Sequence, residues 1–337
     1  MKDKTPEKDR PASDIRAGKH VLPVIILAQW FCTSLWFASN GVMAGLLDSF
    51  GLEVTAMGHL TSAVQAGFIL GTLLFAVLSI SDRFSPVRVF LISALMGALF
   101  NAGMVYEGLG LPGLVGLRFL TGFFLAGIYP VGMKIASDYY REGLGKSLGF
   151  LVGALVLGTA FPHLLRLWGG AYSWKAIILS TSLLAATGGL VLGLGIPDGP
   201  FRKKAGRANL TAFFGLFRIR GFRAAAFGYF GHMWELYAFW AFVPVICRDY
   251  MRLHPETRFG LSLWSFCIIG IGSLACICSG FASLRFGAGR TARLALWVSG
   301  LCCLLLPGIL QQASLPVFLG FMLLWGFFVI ADSPMFS

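Results

Sequence analysis

Ten apolar runs, most of them about 20 residues long or more, follow one another through the chain, at 21–43, 56–80, 87–106, 112–135, 146–168, 174–196, 222–247, 261–283, 292–311 and 315–334. A helix of about 20 residues crosses the roughly 30 Å hydrocarbon core of a bilayer. In lipid only helices and closed barrels satisfy their own backbone hydrogen bonds, and these runs lack the short alternating pattern of barrel strands. The fold class is therefore an all-α polytopic membrane protein. Charged residues make up 12% of the chain, against roughly 25% in soluble domains. Gly145, Gly149 and Gly153 recur every fourth position and continue to Gly158, a stripe suited to close helix packing.

The net charge of +12 sits in the gaps between runs, which excludes a nucleic-acid surface and speaks for membrane topology. With the N-terminus inside, 21 of the 27 Lys and Arg lie in inside segments and five in outside loops, and Arg118 falls within a span. That bias predicts a cytoplasmic N-terminus and, for a bacterial chain, residence in the inner membrane. Residues 1–20 mix six basic with four acidic side chains, unlike a signal or transit peptide, and form a cytoplasmic tail. The seven cysteines include no CxxC, so no metal site is expected. The long basic segment 197–221 separates six spans from four, and its second half, with Leu210, Phe213, Phe214 and Phe217, has the pattern of an interfacial helix or a plain basic linker.

Two passages repeat. SDRFSPVR (81–88) returns as SLRFGAGR (283–290), at an offset of 202 when the Arg-Phe pairs are aligned. GFFLAGIYP (122–130) returns as GFFVIADSP (326–334), at an offset of 204. Two homologous halves follow: 21–196 with six helices, and 222–337 with four. A six-plus-six plan would continue about 64 residues and two helices past Ser337, so the expectation is a chain truncated after helix 10, with a ten-span protein as the alternative.

Ionisable groups inside spans mark pathways or relays by default. GHMWELYAFW (231–240) places His232 and Glu235 one turn apart near the centre of span 7, with Tyr229 one turn earlier. An imidazole and a carboxyl there suit the uptake and release of a coupling proton; a satisfied interhelical hydrogen bond is the alternative. Arg118 in span 4 suits an anionic substrate, or proton coupling through a carboxylate partner, or else a structural pair. Gln29, Thr33, Trp36 and Asn40 recur at helical spacing in span 1, a polar and aromatic face fit for a small ligand. Tyr129, on the face of Arg118, and Trp240 complete the substrate candidates; Gln65 and His163 are weaker. Asp332, at the inner end of span 10, is a gate residue or faces water.

On these residues the chain resembles the major facilitator superfamily over nearly its whole length. Asp82 and Arg83 match the Asp-Arg pair of the family's loop after helix 2, and Arg118 in RFLTGFFLAGIYPVGMK matches its helix-4 arginine. The resemblance implies two six-helix halves, both termini inside, alternating access, and a gating role for Asp82 and Arg83 at the cytoplasmic helix ends. LAGIYPVGMK, HMWELYAFW and ADSPMF are most similar to bacterial members grouped with nitrate/nitrite and cyanate porters. The helix-5 asparagine and helix-2 arginine of nitrate porters are not found here, and Gly153 precedes Ala154 where drug antiporters carry proline.

No HExxH, GxSxG or Walker loop is present, which sets an enzyme aside, and no cofactor is expected. The function read from the sequence is secondary transport of a small solute, with an anion favoured by Arg118 and protons as the coupling ion. The partners are that solute, the proton and the bilayer, in a protein monomeric when complete. A non-transporting sensor or an inactive remnant is the alternative.

Overall fold

A computed structural model describes residues 20–140, 144–168, 173–202 and 215–336. The N-terminal tail and the stretch with Leu210, Phe213 and Phe214 lie outside the described residues. Among the described residues the regular elements are α-helices: α1 Val21–Thr33, α2 Ala38–Gly41, α3 Met43–Phe50, α4 Ala56–Val77, α5 Ile80–Arg83, α6 Pro86–Gly103, α7 Leu111–Leu125, α8 Tyr129–Tyr139, α9 Leu144–Trp168 and α10 Trp174–Gly195. After the central segment come α11 Arg220–Leu253, α12 Leu261–Gly270, α13 Gly272–Phe286, α14 Ala288–Gln312, α15 Leu315–Phe328 and α16 Ser333–Phe336. The side carrying residue 20 is called near, and the opposite side far.

Eight helices or broken-helix pairs among the described residues are long and apolar enough to cross a membrane. The expected runs 21–43 and 222–247 are built differently. The first is interrupted after Thr33, which leaves α1 with 13 residues. The second lies inside α11, whose 34 residues are long enough, at about 1.5 Å per residue, but carry Arg at both ends with His232 and Glu235 between.

Local chemistry sets several of the boundaries. Ser85 caps α6, its hydroxyl accepting from the Arg88 amide at 3.2 Å, and Pro86 begins the helix, where its missing N–H costs nothing. Spans 4 and 10 are each interrupted just before a proline, Pro130 in α8 and Pro334 in α16, because a proline offers no N–H to the preceding turn. The interruptions at 126–128 and 329–332 stand in register with the sequence repeat.

In the first half α4 packs on α7, α6 on α7 and α10, and α1 lies against α9 and α10. The second half joins through α9, which packs on α12 and α13. Ser273 of α13 donates to the Gly153 carbonyl at 2.9 Å, so Gly153, with Gly149 facing the Cys276 carbonyl, lies on the seam between the halves, whereas Gly158 packs on Trp30 and Thr33 of α1. The repeat extends to single contacts. A Cβ on Gly122 would collide with the Val64 carbonyl group, 2.7 Å from its carbon, and one on Gly326 would collide with the Ile268 carbonyl group, 3.1 Å from its carbon. Gly122 and Gly326 are 204 residues apart, and so are Val64 and Ile268. Two copies of one helix crossing thus hold span 4 on span 2 and span 10 on span 8.

Candidate functional site

The break in span 1 explains where Arg118 goes. Residues 34–37 leave the helix, which frees carbonyls that a membrane interior cannot hydrate. Arg118, fully buried, donates through Nη1 to the Leu35 carbonyl at 3.0 Å and through Nη2 to the Trp36 carbonyl. Nη1 also reaches Asn101 Oδ1 at 3.5 Å. Asn101 in turn donates to the Ile178 carbonyl, Thr181 and Ser182 on α10. One guanidinium therefore ties spans 1, 3, 4 and 6. Sequence reasoning passed over Asn101, a single amide in an apolar run, although that isolation was a signal.

The break also divides the polar face expected along span 1. Thr33 turns its hydroxyl back to the Gln29 carbonyl at 2.8 Å. Trp36 donates to Gln65 at 3.3 Å, and Asn40 to Thr61 at 3.1 Å. The four residues do not share one continuous helical face, because that face required an unbroken helix. Gln29 differs from the others: it is fully buried, and neither its amide nitrogen nor its oxygen has a hydrogen-bond partner among the described residues. A Cβ on Gly132 of α8 would strike its Oε1, so the glycine makes room for the amide.

At the centre of α11, His232 and Glu235 take separate partners. His232 Nδ1 lies 2.8 Å from Asp332 Oδ1, with the side chains 0% and 1% exposed. Its Nε2 lies 2.6 Å from Ser333 Oγ. Both partners stand at the interruption of span 10, so Asp332 is buried on His232 and does not face water. Glu235 instead accepts from Ser299 of α14, whose hydroxyl also accepts from Trp325 Nε1 at 3.0 Å. A spacing of three residues sets the two side chains about 60° apart around the helix, enough to reach different neighbours. Ser299, Ser333 and Trp325 were not singled out from sequence; serines and a tryptophan in apolar runs give no signal alone.

On the far side, aromatic rings close the space between the halves. Trp36 stacks on Tyr237 with centroids 5.5 Å apart, and Phe37 meets Trp240 edge-on at 5.8 Å. Tyr129 is partly buried against the same core. On the near side Asp82 pairs with Lys134 at 2.9 Å, and Lys134 also reaches Asp138 at 3.6 Å. Ser85 and Arg202 both bond Asp198 at 2.7 Å. This belt ties the first half to the start of the central segment, and Arg83 beside it is exposed.

Comparison with known proteins gives one family. The model of the Major Facilitator Superfamily matches residues 25–337. No curated protein matches. Among solved structures, the human organic anion transporter MFSD10 (TETRAN) superposes with a TM-score of 0.70 at 16% identity, covering 97% of this chain and 85% of that one. The nucleoside transporter NupG gives 0.69 at 14% identity, covering 92% and 80%. The proton:xylose symporter XylE gives 0.60 at 16% identity, covering 95% and 82%. At such identities the likeness is one of fold.

Proposed function

Because this chain belongs to the major facilitator superfamily, a family of transporters rather than enzymes, we propose that it moves a small solute by alternating access and couples that movement to protons through His232 and Asp332. The observation that carries the coupling is their buried contact, which links span 7 to the interruption of span 10. Burying a carboxylate costs several kcal/mol, and discontinuous helices at corresponding places in two repeats are where transporters hold substrate and coupling ions. A proton delivered to the Asp332 carboxylate would remove the charge that His232 faces, loosen the link to span 10 and so bias the two halves.

In this reading Gln29, beside Gly132 of α8, and Tyr129 one turn earlier on that helix offer hydrogen bonds to the solute. Trp36, Phe37, Tyr237 and Trp240 form the far-side gate, and the near side is cytoplasmic. Glu235 and Arg118, the other proton candidates, act by holding α14 against α11 and by fixing the break in span 1. Thr33 and Asn40 support that break rather than touch solute. Asp82 and Lys134 brace the near end of the first half while the seam at α9 pivots. The resemblance to nitrate/nitrite and cyanate porters suggests an anion, but the guanidinium that would receive it is engaged by carbonyls.

The test uses the full chain in proteoliposomes with a pH-sensitive dye in the lumen. Sugars, nucleosides, carboxylates and amines are applied as separate gradients. The expected result is that one class enters and moves protons with it, and that Asp332→Asn abolishes this linked flux. Entry with unchanged proton flux in Asp332→Asn would remove the pair from coupling. No entry of any class would remove the transport reading.

A further inference from the structure

We propose that the solute carries a positive charge, an ammonium or amidinium group, and that the carboxylate of Asp332 is its counter-charge; this rests on the transport reading above. Asp332 offers His232 one oxygen, and its other oxygen, Oδ2, is buried with no hydrogen-bond partner among the described residues. A buried carboxylate oxygen left open costs more than an ordinary unmade bond, and a cationic donor is the group that repays it best. The sequence repeat isolates this charge: Asp332 occupies the place of Ile128 in the first half, 204 residues earlier. An anion would meet the opposite situation. Arg118 gives both terminal nitrogens to two backbone carbonyls and Asn101 and keeps only the single Nε–H open, too little to hold an anion in a bidentate grip; Lys134 pairs with Asp82 and Asp138, and Arg166 donates to the Gly41 carbonyl at 3.1 Å. Taking an unpaired anion out of water is costly. The rings of Trp36, Tyr237 and Trp240, one to two turns further along the path, present faces that attract cations once they part.

The experiment measures the thermal midpoint of the purified full chain, by tryptophan fluorescence, with three defined pools: biogenic amines and polyamines, sugars and polyols, and carboxylates with inorganic oxyanions. The amine pool should raise the midpoint by a few degrees and the others should not. Asp332→Asn should abolish the rise, and Asp332→Glu, which keeps the charge, should retain part of it, so a merely damaged fold is recognised by loss in both. A shift with the carboxylate or sugar pool, an amine shift that survives in Asp332→Asn, or no shift with any pool overturns the proposal. Amine binding without uptake into proteoliposomes would leave the cation site standing and overturn transport instead.

Discussion

Alanine at Gly122 should loosen the whole first half, and by a predictable amount. An added Cβ would stand 2.7 Å from the Val64 carbonyl carbon, where carbon atoms prefer about 3.5–4.0 Å. The obstacle is backbone, so α4 and α7 must part by about 1 Å along a shared seam. Overpacking of this kind costs about 1–3 kcal/mol, and an immovable neighbour puts the cost near the top of that range. The better helix propensity of alanine returns about 1 kcal/mol, leaving a net loss near 2 kcal/mol. Gly326→Ala, with 3.1 Å to the Ile268 carbonyl carbon, should lose less but with the same sign. Gly300, in the middle of α14, has nothing within 4 Å of its would-be Cβ, so Gly300→Ala gains about 1 kcal/mol from propensity alone. With about 2–4 °C per kcal/mol, thermal midpoints of Gly122→Ala and Gly300→Ala should differ by roughly 6–12 °C. Equal midpoints for Gly122→Ala and Gly300→Ala would refute the helix crossing, and a Gly326→Ala midpoint no lower than that of Gly300→Ala would refute its duplication in the second half.

Arg118→Gln leaves the Leu35 and Trp36 carbonyls short of donors, at about 1–3 kcal/mol for each group stranded; the midpoint should fall, and proteolysis should reach the 34–37 break. Gln29→Leu removes a buried amide that has no partner, so the chain should become more stable by about 1–3 kcal/mol while solute uptake falls; a loss of stability would mean the amide serves the fold. The Lys175 ammonium holds the exposed Glu107 carboxyl below its usual value of 4.5. A carboxyl with a lowered folded-state pKa stabilises above its unfolded pKa and ceases to as pH falls through the folded one. The midpoint difference between wild type and Lys175→Met should therefore be steady at neutral pH, close below about 4.5, and shrink in high salt.

The helical, membrane-spanning fold and its duplication were legible because apolar length and repeated words are properties of the chain itself. GFFLAGIYP and GFFVIADSP carry both the close-contact glycine and the proline of the interruption, so sequence and geometry repeat together. The break in span 1 was not legible: residues 34–37 contain neither glycine nor proline, and the conformation is held by a guanidinium from span 4. Nor was the choice of partner at the centre of α11. His232 and Glu235 share a helical turn, but the neighbours that divide them, Asp332 and Ser299, come from spans whose packing the sequence does not state. Counting residues places Asp332 at a span end, whereas the interruption of span 10 buries it.

The central claim is that the two halves rock about the seam of α9 with α12 and α13. It is tested most directly by pulsed electron spin resonance on two label pairs in nanodiscs, with the exposed Cys278 and Cys303 replaced by serine. One pair, at Asp48 and Arg252, reports the far side, and the other, at Arg88 and Arg285, reports the near side. Two populations are predicted on each side, the long far-side distance accompanying the short near-side one, with a ratio that shifts with pH and is fixed in Asp332→Asn. A single distance on each side, unchanged by pH and by the substitution, would contradict it.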